Sequence, residues 1–186
     1  SEYSTMHLEV ELPEGVEYQA GDHMLVLPAN REGSVRAAAN LFGIEQGALL
    51  RLHYPSTQDK REPELVSATE LLRTRFQLNE PARRAGIELL AQYVDSDGHH
   101  DELVALIKDD DAYQSQVLDK HLSLIDLAAQ FPPSEPLPVA HLERAFSSIK
   151  PRTYSISSAP TTGSQRASLT VGVLELARLI LAESTL

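Results

Sequence analysis

The sequence predicts an α+β protein: an antiparallel sheet or barrel whose chain leaves, builds a block of helices, and returns. Two observations lead to this. Alternating apolar and polar residues, the period of a half-buried strand, occur near both ends of the chain, whereas helical spacing and capping patterns run through the middle. No internal repeat or low-complexity tract offers a competing organisation.

The elements follow in order. Met6, Leu8, Val10 and Leu12 alternate with His7, Glu9 and Glu11 as a first strand, and Pro13-Glu14-Gly15 turns the chain. Residues 24–27 are a short apolar run, entered through Ala20-Gly21-Asp22 and closed by Pro28, which predicts a second strand. Beyond Asn30 the period changes. Val35, Ala38, Ala39 and Phe42 fall on one helical face, with Gly43 at the expected C-terminal cap. Residues 67–147 then read as successive helices. Ser67 and Glu70 make a capping-box pattern, and Asn79 ahead of Glu80-Pro81 predicts a helix running to about residue 94. Asp101 is placed to cap the segment of Leu103, Val104, Leu106 and Ile107. Ser123 with Asp126 caps that of Leu124, Ile125, Leu127 and Ala128, which Phe131-Pro132-Pro133 stops. A last helix over about residues 139–149 carries Leu142, Ala145, Phe146 and Ile149 and ends before Pro151. Strand character returns at residues 153–157 and 168–173, with a turn over 160–164.

Composition narrows the function. The 186 residues are 42% hydrophobic and 23% charged, enough for one large or two small domains with a real core. No apolar run approaches the ~20 residues a bilayer requires, and no charged-then-apolar segment opens the chain, so membrane insertion is not expected. The absence of cysteine removes disulfides, thiolate metal sites and cysteine nucleophiles, and a reducing, cytoplasmic setting fits. A net charge of −11 with a pI near 5.0 removes the main driving term for gripping nucleic acid, so no nucleic acid partner is expected. The charge is uneven. Residues 1–30 hold six acids and no Lys or Arg, residues 95–135 ten acids against two bases, and residues 136–186 three acids against five bases. The acidic stretches read as solvated faces; the basic residues of the last stretch are where an anion would be held.

The sharpest cluster lies there, in Arg152-Thr153-Tyr154-Ser155-Ile156-Ser157-Ser158-Ala159-Pro160. A permanently charged guanidinium, an aromatic face and alternating hydroxyls suit a phosphorylated ligand with a flat ring. A serine-rich strand edge without a ligand is the plainer explanation of the same residues.

Arg152-x-Tyr154-Ser155-Ile156-Ser157-Ser158 resembles the flavin-binding strand of the ferredoxin-reductase-like diflavin reductases. Gly21-Asp22-His23-x-x-Val26-x-Pro28-x-Asn30 resembles a second signature of that family, in the right order. Between them, Phe42-Gly43, Tyr113-x-x-x-Val117-Leu118 and residues 124–132 look like the helical connecting domain that these enzymes insert into an FAD-binding barrel. The resemblance covers residues 6 to about 173. It is greatest to the reductase half of bacterial self-sufficient haem-thiolate fatty-acid monooxygenases, with eukaryotic NADPH:haemoprotein reductases next.

The resemblance implies a partial antiparallel FAD-binding β-barrel interrupted by an all-helical connecting domain. Residues 1–30 would be the first barrel strands, 31–148 the connecting domain, 149–173 the returning strands, and 174–186 a helical tail that does not match the family. It further implies that Arg152 holds the FAD pyrophosphate, that Tyr154 lies along the isoalloxazine and ribityl part, and that Ser155, the catalytic candidate, hydrogen-bonds near flavin N5. His23, from the Gly-Asp-His signature, and His121, where relatives often carry an arginine, are further cofactor-binding candidates. A histidine packing beside its own strand end explains His23 equally well.

One departure stands at the end. Relatives follow the last strand with a Gly-x-x-Ser loop on a helix N-terminus; here no glycine occurs from Val173 to Leu186, and residues 174–181 read as a helix. No nicotinamide-binding, FMN-binding or haem segment is encoded, so the chain is expected to be an excerpt, a remnant, or a sequence lacking residues between two of its stretches. Other constellations are weaker. Asp95-x-Asp97-Gly98-His99-His100-Asp101 fails the calcium-loop pattern and no metal site is expected. No Gly-x-Ser-x-Gly elbow supports a hydrolase, and Pro132-Pro133-x-x-Pro136-x-Pro138 reads as an interhelix linker as well as a polyproline ligand.

The function expected from the resemblance is the FAD-binding and connecting part of an NADPH-dependent reductase. It would pass electrons through FAD and FMN to a haem-thiolate monooxygenase, with NADPH-binding, flavodoxin-like FMN and haem domains as partners. The alternative is a non-catalytic helical docking module, or a truncated remnant without flavin.

Overall fold

The computed structural model describes residues 2–52, 64–95, 97–160 and 165–175. It divides into two compact units: a strand unit, Ser1–Val26 with Pro151–Leu186, and a helical unit, Leu27–Lys150.

In the strand unit β1 (Glu2–Glu11) pairs antiparallel with β6 (Arg166–Glu175), placing Leu8 opposite Leu169 and Val10 opposite Ala167. The alternation read from the sequence sets this register. A slip of one residue would exchange the apolar and polar faces of the whole pair, and Ala167 and Leu169 are buried on one of them. β2 (His23–Val26) pairs antiparallel with β5 (Arg152–Ser155). A bridge between Ile156 and Leu169, and the Ser157 N–H donating to the Ser168 carbonyl at 2.7 Å, join the end of β5 to β6. The strands thus form antiparallel pairs, and no closed barrel is present among the described residues. Strand β6 runs on through Leu174 and Glu175, opposite Tyr3 and Glu2, so the helix expected from residue 174 does not start there. Pairing along the ten residues of β1 outweighs the helical propensity of Leu174-Glu175. Residues 176–186 of that expected helix, and 161–164 of the expected turn, lie outside the described residues.

The helical unit holds one hydrophobic core, but it is not all-helical. A two-stranded antiparallel sheet of β3 (Leu49–Leu52) and β4 (Glu64–Ser67) corrects that expectation. Leu50 and Val66 face each other and pack against the core, while Leu49 and Leu65 stay exposed. Four-residue strands are too short for the alternation to stand out.

Helix α1 (Glu32–Leu41) buries Val35, Ala38 and Leu41 and ends as expected. Gly43 takes φ +58°, its N–H reaches the Asn40 carbonyl and that of Ile44 the Ala39 carbonyl. These bonds satisfy carbonyls that the last helical turn leaves free. Helix α2 (Ala68–Thr74) starts at Ser67, whose hydroxyl accepts from the Glu70 N–H; the Glu70 carboxylate turns to Arg73 instead of closing the box.

Three expected helix limits are corrected. Helix α3 (Arg84–Ala91) begins five residues after Asn79, because the Asn79 side chain is already engaged with Ser34 at 2.7 Å and Asn30 at 3.4 Å. Helix α4 (Asp97–Lys108) contains Asp101 instead of starting from it. The helix expected over 139–149 is a 3₁₀ turn, Val139–His141, then α7 (Leu142–Ala145), after which Phe146 is extended. Its ring enters the core beside Phe42 and Phe76, with centroids at 5.9 and 6.4 Å, and Ser148 bridges to Phe76. Between these, α5 (Asp110–Tyr113) is capped by Asp109 and continues into a π-helix, Gln114–Leu118. Helix α6 (Leu124–Gln130) carries the full capping box of Ser123 and Asp126.

Candidate functional site

The site is built where β2 and β5 run side by side. Asp22 closes the turn before β2: its Oδ2 accepts from the Gln19 N–H at 2.8 Å, and its carbonyl accepts from the Ile156 N–H at 3.0 Å. This sets the register in which His23 stands opposite Ser155, Met24 opposite Tyr154, Leu25 opposite Thr153 and Val26 opposite Arg152.

Because side chains alternate along a strand, Arg152 and Tyr154 share one face with Met24 and Val26. Thr153 and Ser155 share the other with His23 and Leu25. Tyr154, Met24 and Val26 are half-buried; Arg152, Ser155 and His23 are exposed. Four of the five sequence-predicted residues therefore come together, divided between two faces. The fifth, His121, belongs to the helical unit, exposed at φ +52° just beyond the π-helix, with Nδ1 3.4 Å from the Asp119 carbonyl.

The hydroxyls of the cluster have different tasks. Ser157 Oγ donates to the Ser168 carbonyl at 3.0 Å, and Ser158 Oγ accepts from the Ser168 N–H at 2.9 Å, so both are spent tying this segment to β6. The Ser155 hydroxyl makes no hydrogen bond among the described residues. One residue here, Tyr18, and the structural role of another, Asn30, escaped sequence reasoning. Tyr18 bonds through its hydroxyl to Ser158, and the Asn30 side chain donates to the Leu72 and Phe76 carbonyls within the helical unit. Their partners lie dozens of residues away or more, so no local pattern reveals them.

The charge balance favours an anion at Arg152. Among the described residues of the strand unit the lysines and arginines are Arg152 and Arg166, and Arg166 lies 3.5 Å from Glu9. The Arg152 side chain has no ion pair or hydrogen bond among the described residues, so its guanidinium fork is available for two oxygens at once. A charged fork, an aromatic ring two residues on along the same face and a free hydroxyl on the next residue fit FAD, a pyrophosphate joined to a flat ring.

The weaker constellations resolve structurally. Residues 97–101 are helical; His100 Nδ1 lies 2.8 Å from the Ala91 carbonyl and the His99 ring packs edge-on against Phe131. No group of three His, Cys, Asp or Glu able to hold a metal occurs among the described residues. The proline-rich linker is ordered, with the Ser134 N–H on the Tyr93 carbonyl and the Leu137 N–H on the Leu41 carbonyl. No helix among the described residues is long and apolar enough to cross a membrane.

Comparison with known proteins agrees with this chemistry. The family model described as an FAD binding domain matches residues 1–181. The chain is 34% identical over 179 residues, 92% of its length, to the bifunctional cytochrome P450/NADPH–P450 reductase 2 of Bacillus subtilis (strain 168). It is 35% identical over 176 residues, 94% of its length, to reductase 1 of the same organism. To the self-sufficient cytochrome P450 monooxygenase CYP505E3 of Phanerodontia chrysosporium it is 36% identical over 171 residues, 91% of its length. The chain spans 16% of the length of each of these relatives. By the match along almost its whole length, this chain belongs to the FAD-binding domain family.

Proposed function

We propose that this chain is the FAD-binding and connecting part of an NADPH-dependent diflavin reductase that delivers electrons to a haem-thiolate monooxygenase. The observation that carries the reading is the guanidinium of Arg152, unpaired among the described residues, beside Tyr154 on one face of β5 in a chain of the FAD-binding family. The relatives, named as bifunctional cytochrome P450/NADPH–P450 reductases, support the electron route. In that route an NADPH-binding domain supplies hydride, and a flavodoxin-like FMN domain relays electrons singly to the haem domain, all in the cytoplasm. Strands β1, β2, β5 and β6 are part of the FAD barrel, and residues 31–148 form the connecting domain.

Bound FAD supplies the redox chemistry, taking a hydride and releasing its electrons one at a time. The protein's residues hold and orient it. Arg152 clamps the pyrophosphate with a bidentate, charge-assisted fork. Tyr154 offers its ring to the isoalloxazine and ribityl part. Ser155 and His23 stand on the opposite face of the β2–β5 pair. Ser155, whose hydroxyl has no side-chain partner among the described residues, would donate a hydrogen bond near flavin N5.

The test is the visible absorbance of the purified chain titrated with FAD. A saturable shift of the flavin bands is expected. A chain that folds but leaves the free-flavin spectrum unchanged contradicts the reading and leaves a helical docking module.

A further inference from the structure

We propose that Tyr18 is a positioning residue for the ligand-bearing strand β5, a role that rests on the FAD reading above. Tyr18 lies in the loop between β1 and β2, half-buried, far from Arg152 and Tyr154 in sequence. Its hydroxyl is 2.8 Å from Ser158 Oγ, 3.1 Å from the Ala159 carbonyl and 3.3 Å from the Arg166 carbonyl. Ser158 Oγ in turn accepts from the Ser168 N–H at 2.9 Å.

The protons can be assigned. With the Ser168 N–H on one lone pair, Ser158 keeps its own proton to give to the Tyr18 oxygen, and the Tyr18 proton goes to the Ala159 or Arg166 carbonyl. One hydroxyl therefore joins three segments: the loop ahead of β2, the segment leaving β5, and the start of β6. Together with the Ile156 N–H on the Asp22 carbonyl and the Ser157 N–H on the Ser168 carbonyl, it holds residues 156–158 from three sides. Residues 152–155, immediately before, make no side-chain hydrogen bonds among the described residues. The clamp begins where the free residues end, so Tyr18 sets the direction in which Arg152, Tyr154 and Ser155 project.

A positioning residue and a pyrophosphate clamp leave different signatures. Loss of Arg152 removes a phosphate contact, whereas a shift of β5 displaces the Tyr154 ring as well. Tyr18→Phe deletes only the hydroxyl. It should weaken FAD and riboflavin alike by about three- to tenfold, the range one hydrogen bond spans. The flavin that does bind at saturation should fluoresce more than in wild type, because the quenching Tyr154 ring is displaced from it.

The experiment titrates FAD and riboflavin into wild type, Tyr18→Phe, Ser158→Ala and the double variant, reading flavin fluorescence through saturation and thermal unfolding alongside. Support is an equal loss of both ligands, raised residual fluorescence, and a double variant less affected than the sum of the singles. A Tyr18→Phe protein with wild-type affinities and wild-type residual fluorescence overturns the proposal, and so does a lowered melting temperature with both flavin readouts unchanged. If Tyr18→Phe does not fold, Ser158→Ala is judged by the same two readouts. A folded wild type that binds no FAD overturns the proposed function itself, a distinct outcome.

Discussion

Ser155 and Ser157 differ by two positions and are both exposed, yet only one is bonded. Ser157 holds the Ser168 carbonyl, whereas Ser155 is unoccupied opposite His23. Ser157→Ala should therefore lower stability by about 0.5–1.5 kcal/mol in urea unfolding, and Ser155→Ala should leave it unchanged. Equal effects would remove the division of labour between them. Asn30 is a stronger case. Its amide donates to the Leu72 carbonyl at 2.8 Å and to that of Phe76 at 2.6 Å, and its oxygen accepts from Asn79. Asn30→Ala strands two half-buried carbonyls, so about 1–3 kcal/mol should be lost, measured by the same unfolding experiment. The sequence motif that contains Asn30 looks like a ligand signature; the residue itself braces the end of α2.

At the scale of the elements, helices with strong local signals were readable and those made by tertiary contact were not. Ser123 and Asp126 form the expected reciprocal box, with the Ser123 N–H donating to Asp126 at 2.9 Å and the Asp126 N–H to Ser123 at 3.2 Å. Ser123→Ala should cost ~1 kcal/mol, visible as a lower melting temperature. Asn79 carries an equally good cap pattern and caps nothing, since its side chain serves Ser34 and Asn30. The helical period of residues 139–149 likewise yields at Phe146 to packing among aromatic rings from distant segments. Gly86 shows how close that packing is. A Cβ built there would lie 2.9 Å from the Ala145 carbonyl oxygen, and backbone cannot give way as a side chain does. Gly86→Ala should destabilise the helical unit by about 1–3 kcal/mol in thermal unfolding, although alanine is the better helix former. A stabilised variant would mean that α3 and α7 have room to separate.

Over the whole molecule, the sequence yields most where function is written locally. Arg152, Tyr154, Ser155 and His23 stand within two short motifs, and the β2–β5 pairing brings those motifs into register. The faces on which they stand and the part of Tyr18 depend on contacts between segments more than a hundred residues apart, and the commitment of Ser157 and Ser158 to β6 on bonds to Ser168 across an intervening turn, none of which a local period encodes. Spacing could not show that β6 extends to Glu175 either, because pairing with β1 decides it. The 186 residues contain no glycine-rich phosphate turn of the Gly-x-Gly kind, so the chain with FAD should consume no NADPH, as hydride transfer needs two bound rings in contact. Steady NADPH oxidation would place a nicotinamide site within it.

The central claim, that Arg152 holds the pyrophosphate of a flavin whose ring lies on Tyr154, is tested most directly by titrating FAD and riboflavin against wild type, Arg152→Ala, Arg152→Lys and Tyr154→Ala. Loss of a charge-assisted hydrogen bond typically costs ~1.5–3 kcal/mol, so Arg152→Ala should weaken FAD by roughly tenfold or more and leave riboflavin, which has no phosphate, unchanged. Lysine should restore part of the loss, a point charge being unable to match two oxygens, and Tyr154→Ala should weaken both ligands. Equal weakening of FAD and riboflavin in Arg152→Ala would contradict the account and make the arginine a support of the fold.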